Sequence, residues 1–486
     1  LQQVENFSNP AETQNDSFKS VSRYFDRITR PEQILSSLPQ ALQVMLDPAD
    51  CGPATISLSQ DVQGEAFDYP EIFFEEKIHI IRRIHPDPRQ LNEAAEQLKL
   101  SKQPIIIAGG GILYSEAEKE LSDFAKKHNI PVTPTVMGIG CMTKDDPYYI
   151  GAIGCLGEGS SNSLSKDTDL ALAIGTKLGD FTTGSWSNFQ NEDFKLVSIN
   201  TARFDVTKHL AIPVISDAKI GLLELSKALG DWRAPNNWYE RSIDERKKWD
   251  SYVEKQSGPT NQELPSYAHA VGAVYRNADP SDIVVTAAGG LVGEVVQIWK
   301  PKELNTFETE WGFSCMGYEI SGALGIKMAK PDQDVIVFVG DGSYLLHNSD
   351  IYSSVLYDKK LIIVVCDNGG HMVINRLQLA KGGKEYLCNL KEARATNLQF
   401  VDFEAHAKSM GANGETVTST SELEAAFKRA KKSEKTYVIS IKTHGYEWLD
   451  GTAFWESPTL EVHSTAENKQ AYEEFLAGKK DQRKGV

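Results

Sequence analysis

Two short apolar runs, residues 335–339 (Val-Ile-Val-Phe-Val) and 361–366 (Leu-Ile-Ile-Val-Val-Cys), each end in oxygen-bearing polar residues. Gly340-Asp341-Gly342 closes the first and Asp367-Asn368 the second. Runs this apolar and this rich in Val and Ile read as parallel strands covered on both faces. The stretch 343–360 between them has the length and composition of a crossover helix. A right-handed βαβ unit puts the carboxyl ends of both strands on one edge of the sheet. The Asp341 carboxylate and the Asn368 amide oxygen, distant in sequence, are therefore expected to face one crevice. That constrains the chain to an α/β fold.

A Gly-Asp-Gly triplet alone is commonly a turn. Its recurrence beside a second oxygen pair, at the tip of a second buried strand, points to chemistry instead. Hard oxygen ligands suit Mg2+, which keeps octahedral geometry and shares its shell with phosphate oxygens. Gly340 and Gly342 let the backbone approach a phosphate closely, and a helix starting near Ser343 offers free N–H groups and a positive dipole end.

The whole chain sets wider bounds. Its 486 residues are enough for roughly two or three domains with their own cores. No stretch of about 18 apolar residues is present, and no charged-then-apolar leader, so neither a membrane span nor secretion is expected. Cysteines 51, 141, 155, 315, 366 and 388 show no CxxC spacing, which fits reduced thiols and a cytoplasmic setting. A net charge of −16 argues against nucleic acid as a partner. It also implies that an anionic cofactor is held by a metal and backbone amides rather than by a basic cluster.

Strand and helix patterns alternate along most of the chain, with glycines at strand ends, as in doubly wound parallel sheets. A unit over 85–235 contains strands at 104–108, 131–135, 170–174 and 195–199. Its Gly109-Gly110-Gly111 loop reads as a tight turn or as a nucleotide-phosphate cradle, although the full GxGxxG fingerprint is absent. A charged helical connector at 236–258 leads to a unit over 262–455. There strand 283–286 runs into the turn Ala287-Ala288-Gly289-Gly290, and a strand at 437–441 is expected to close the sheet. The tail 456–486 carries a capping-box pattern, Ser464 to Glu467, and is expected to be helical. The first 70 residues look incomplete: a helix at 31–46, a single strand at 54–58 and a linker. A lone strand cannot form a stable sheet, so this piece is expected to pair with something upstream of Leu1 or to dock on another subunit.

Gly340-Asp341-Gly342 followed by Asn368 resembles the cofactor motif of thiamine diphosphate-dependent enzymes. The order of units resembles the decarboxylase and acetolactate-synthase branch. Further segments resemble the hydrolases that open trihydroxycyclohexane-1,2-dione in myo-inositol breakdown. They are Asp47-Pro48-Ala49-Asp50, 60–65, 180–186, 287–291, 313–319 and 340–344. The resemblance implies a three-domain architecture with an incomplete pyrimidine-binding domain over 1–70, a central domain, and a diphosphate- and Mg-binding domain. It implies thiamine diphosphate and Mg2+ as cofactors, with Asp341, Asn368 and the Gly370 carbonyl as metal ligands. Gly289, Gly290, Gly342 and Ser343 would contact the diphosphate, and Met316 would wedge between the two cofactor rings. Plain core packing is the competing account of Met316.

The catalytic glutamate of the family falls upstream of Leu1, so no catalytic residue is assigned here. In relatives it comes from a neighbouring subunit, which implies a homodimer or homotetramer with the site at the interface. The implied reaction is hydrolysis of a C–C bond in a polyhydroxylated cyclic 1,2-diketone, giving a 5-deoxy-glucuronate. Three alternatives stay open: a carboligase acting on 2-oxo acids, a non-catalytic binding remnant, and a flavin or nucleotide binder. Residues 369–375 depart from the family pattern, as does Asp367, which stands where the family has the first of two paired asparagines; His371 sits near the expected mouth, as either a substrate contact or a solvated loop residue.

Overall fold

A computed structural model describes residues 8–9 and 12–483. Residues 1–7, 10–11 and 484–486, which fall within the expected first unit and the expected helical tail, lie outside them. Every pairing between its named strands is parallel.

The first unit holds two strands, β1 (Tyr24–Ile28) and β2 (Ala54–Leu58), paired in register from Tyr24–Ala54 to Ile28–Leu58. The expectation of a lone strand is thus corrected. Tyr-Phe-Asp-Arg-Ile carries two charges in five residues and shows no apolar run, so β1 escapes a hydrophobicity reading.

The central sheet uses β3 (Pro104–Ala108), β4 (Val132–Pro134), β5 (Leu170–Ile174), β6 (Lys195–Asn200) and β7 (Ile212–Ile215), in the order β4-β3-β5-β6-β7. The glycine triplet after β3 is a tight turn packed on the glycine after β5. A Cβ on Gly109 would lie 2.3 Å from the Gly175 carbonyl oxygen, and one on Gly111 2.5 Å from the Gly175 Cα. The N–H groups of Gly109 and Gly111 are taken by the carbonyls of Ile174 and Gly175.

The third unit contains β8 (Ile283–Thr286), β9 (Phe307–Thr309), β10 (Val335–Gly340), β11 (Ile362–Asp367), β12 (Asn413–Val417) and β13 (Tyr437–Lys442). Their order is β12-β13-β11-β10-β8-β9. The strand at 437–442 is therefore interior and does not close the sheet. The edges are β9, three residues long, and β12, a polar Asn-Gly-Glu-Thr-Val. Short polar edge strands carry little apolar signal. Strand order reverses between β8 and β10, because β9 lies on one side of β8 and β10 on the other. Ligands of open α/β sheets bind outside the carboxyl ends of strands at such a switch point.

The crossover from β10 to β11 is two helices, Asp341–Leu346 and Ser349–Leu356, and not one. The break falls at His347, whose φ and ψ of −151° and 72° leave the helical region. Gly317 packs against that residue so closely that a Cβ would lie 2.5 Å from the His347 Cβ. The tail helix spans Ala466–Lys480, and its cap is Thr465 rather than Ser464: the Thr465 side chain accepts from the Asn468 N–H.

A buried ion cluster ties three parts of the chain together. Lys300, 8% exposed and just past helix Leu291–Ile298, sits 3.2 Å from Glu158 of the central unit and also pairs with Asp250 of helix Asn236–Ser257. Burial alone would depress the Lys300 ammonium, yet the facing Glu158 and Asp250 charges hold it above its ordinary value. Removing one partner of a buried pair leaves the other uncompensated. Lys300→Met is expected to lose about 3 kcal/mol in urea denaturation, with part recovered by adding Glu158→Gln. A single-variant loss below about 1 kcal/mol would show that solvent already screens the cluster.

Candidate functional site

The carboxyl edge of β8, β10 and β11 gathers four segments. They are the turn 287–290 after β8, the loop 312–317, the start of helix Asp341–Leu346, and the stretch 368–371 after β11. Gly340, the last residue of β10, lies opposite Cys366 in register, so Asp341 and Asp367 leave the sheet side by side.

Asp341 is the first residue of its helix and is only 6% exposed. Burial, reinforced by the nearby Asp367 charge, pushes its carboxyl up to about 7, against the backbone N–H groups of Gly342 and Gly370 that favour the ionised form. Asn368 carries an amide oxygen that is buried and has no hydrogen-bond partner. Gly370 adopts φ +139°, and a Cβ there would meet the Cys388 carbonyl oxygen at 2.3 Å, so this position requires glycine. Residues 388–390 brace the stretch: the His371 N–H donates to the Cys388 carbonyl and the Leu390 N–H to the Gly369 carbonyl. Among the described residues no hydrogen bond takes the Gly370 carbonyl.

The donor set is thus one carboxylate held near neutrality and two oxygens lacking partners. A buried polar atom without a partner is costly, and a cation is one way to satisfy it. No group of three or more His, Cys, Asp or Glu that could hold a metal occurs among the described residues. An ion here would depend on the mixed set of Asp341, Asn368 and Gly370 with ligands from outside the protein, which fits a magnesium ion sharing phosphate oxygens.

The surrounding backbone leaves room for an anion. Gly289 has φ +76° and nothing within 4 Å of a Cβ position. Gly290 caps helix Leu291–Ile298 and packs under Trp448, whose ring would come within 2.2 Å of an added Cβ. Ser343 is buried in the first turn of the helix that begins at Asp341. Gly342 faces both the His371 ring and the Met316 tip, at 2.9 and 3.4 Å from an added Cβ. His371 and Met316 therefore flank one spot above the helix start, and His371 remains exposed there. Met316 is 36% exposed, which is unlike a plain core residue.

Two residues near the site carry no role in the sequence reading above. Glu319, 1% exposed, accepts hydrogen bonds from Ala288 and Gly317. Glu294 lies behind the 287–290 turn, accepts from the Leu449 N–H, and has its second oxygen buried without a partner. The available signal was a charge in an otherwise apolar helix face; what it touches depends on distant segments. Two cavities elsewhere, of about 260 and 360 Å³, lie beside Asp47 and Arg82 and beside Asp167 and Arg241, away from this edge.

Burial raises Glu294 from an ordinary 4.5 to about 7. The folded protein then holds a proton that the unfolded chain releases, so this group stabilises the fold fully below about pH 4.5 and loses that contribution as pH rises through about 7. Glu294→Gln is expected to flatten that loss, gaining on the parent by up to about 3 kcal/mol between those limits in pH-dependent denaturation. Parallel pH profiles for the two proteins would show Glu294 ionised in the fold.

Residues 91–225 match the family described as "Thiamine pyrophosphate enzyme, central domain" and residues 287–441 that described as "Thiamine pyrophosphate enzyme, C-terminal TPP binding domain". Curated relatives named 3D-(3,5/4)-trihydroxycyclohexane-1,2-dione hydrolase are similar over 97% of this chain and 78% of their own length. Those of Bacillus anthracis, Halalkalibacterium halodurans and Shouchella clausii are each 36% identical, over 509, 500 and 499 residues. The parallel sheets, the switch-point crevice and these matches agree: the chain belongs to the thiamine diphosphate-dependent enzymes, within the group that holds the trihydroxycyclohexane-dione hydrolases.

Proposed function

We propose that this chain hydrolyses a C–C bond of a polyhydroxylated cyclic 1,2-diketone, opening 3D-trihydroxycyclohexane-1,2-dione to 5-deoxy-glucuronate in myo-inositol degradation, with thiamine diphosphate and Mg2+. The observation that carries the reading is the oxygen set at the switch point, in a chain that shares 36% identity with hydrolases of that name. Asp341, Asn368 and the Gly370 carbonyl would hold the ion. Gly342, Ser343, Gly289 and Gly290 would receive the diphosphate through backbone N–H groups, and Met316 would support the rings. The assignment of 1–70 to a pyrimidine-binding domain, 85–235 to a central domain, 262–455 to the diphosphate-binding domain and 456–486 to a helical tail belongs to the same proposal.

The bound cofactor supplies the electron sink for C–C cleavage; the protein orients it and excludes side reactions. Asp341 must give up its proton to hold a divalent ion, which the ion's own charge favours. Gly342 and Gly289 keep side chains away from the crevice so that main-chain donors reach the anion. Met316, a flexible apolar side chain against Gly342, would give the cofactor rings an apolar support. The active assembly is proposed to be a homodimer or homotetramer in the cytoplasm. No helix of the described residues is long and apolar enough to cross a membrane.

Titration calorimetry with thiamine diphosphate and magnesium tests the metal assignment. Asp341→Ala is expected to abolish magnesium-dependent binding, and Asn368→Ala to weaken it less, because a neutral oxygen attracts a divalent cation less than a carboxylate does. Unchanged affinity in Asp341→Ala would remove the assignment. Product analysis tests the reaction: ring opening of the cyclic dione is expected, whereas conversion of pyruvate to acetolactate without it would favour a carboligase.

A further inference from the structure

Glu319 sits in the first turn of helix Tyr318–Ala329, which is capped by Gly317 in the left-handed region at φ +97°. Its carboxyl is 1% exposed and reaches across two loops. One oxygen accepts from the Ala288 N–H at 3.2 Å, the other from the Gly317 N–H at 2.8 Å. The Ser343 hydroxyl lies beside it and favours its charged form. One buried side chain therefore touches the turn after β8, the loop that carries Met316, and the helix that starts at Asp341.

A carboxylate is an unfavourable neighbour for a crevice that receives an anion, since like charges repel in a poorly screened interior. Burial also raises Glu319 above its ordinary range. Both costs call for something a neutral side chain cannot do. The two carboxyl oxygens accept from two backbone N–H donors at once, whereas a glutamine would turn its own NH2 toward one of them. We propose that Glu319 is a positioning residue that fixes the Met316 loop against the 287–290 turn, so that the support for the cofactor rings and the diphosphate cradle keep one spacing. The inference rests on the thiamine diphosphate reading above and adds to it a residue that acts through the backbone of two loops.

A positioning role through Met316 predicts coupling, and a double-mutant cycle measures coupling directly. Thiamine diphosphate affinity in the presence of magnesium would be compared for the parent chain, Glu319→Gln, Met316→Ala and the double variant. Glu319→Gln alone is expected to weaken binding by about tenfold, but by less than about threefold in the Met316→Ala background. Magnesium pyrophosphate, which lacks the rings, is expected to lose less affinity than thiamine diphosphate in Glu319→Gln. Should that variant fail to fold in a thermal scan of the unloaded protein, Glu319→Asp takes its place. The aspartate keeps the charge but shortens the reach to both loops, and the same non-additivity is expected of it. Losses that add across the cycle would overturn the positioning role alone. Absence of thiamine diphosphate binding to the parent chain would overturn both this inference and the reading beneath it.

Discussion

The arrangement at the carboxyl edge of β10 and β11 depends on oxygen atoms that the protein itself leaves unsatisfied. Asp341 is buried beside a second carboxylate, Asp367, and only backbone N–H groups favour its charge. The Asn368 amide oxygen is buried without a partner, and the Gly370 carbonyl is passed over by the strand pairing that takes the carbonyl beside it. Folded proteins rarely tolerate such groups together unless an external partner completes them. A divalent cation would relieve all three at once: it favours the ionised Asp341 and occupies both idle oxygens.

The remaining architecture reads as support for that spot. Residues 388–390 hold the 369–371 stretch in a conformation only glycine can take at 370. Trp448 covers Gly290 from behind, and the Arg376 guanidinium lies 5.1 Å from the Trp448 ring centre. The broken crossover helix turns at His347, against which Gly317 at the end of the Met316 loop packs. Farther out, the Lys300 cluster fixes the central unit and the connector helix against the far end of helix Leu291–Ile298. The net charge of −16 fits the proposed site, where an anion would be received by a metal and main-chain donors rather than by basic side chains.

What was legible in the sequence was local. The all-apolar runs of β10, β11, β3 and β5 announced themselves, and the polar residues at their tips marked one edge of the sheet. Strands with mixed composition did not: β1 sets two charged residues behind two aromatic ones, β12 is polar, and β9 has three residues. The helix cap at Thr465 shifted by one position from the expected Ser464, because either hydroxyl can serve and the packing of Asn468 against Lys381 and Gly382 selects the register. Glu319 lies inside a segment that carries the resemblance, yet its two backbone partners are Ala288 and Gly317, and only the first is remote in sequence.

By itself the sequence determined that the chain is α/β, that Asp341 and Asn368 stand at the tips of two buried strands, and to which enzymes it is related. These follow from hydrophobic runs and short motifs, which act over a few residues. Tertiary structure alone decided that β13 is interior, that β1 pairs with β2, that His371 and Met316 meet over Gly342, and that Asp341 is held near neutrality. Each depends on which remote segments exclude water from which atoms, and that is set when the sheets assemble rather than by neighbours along the chain.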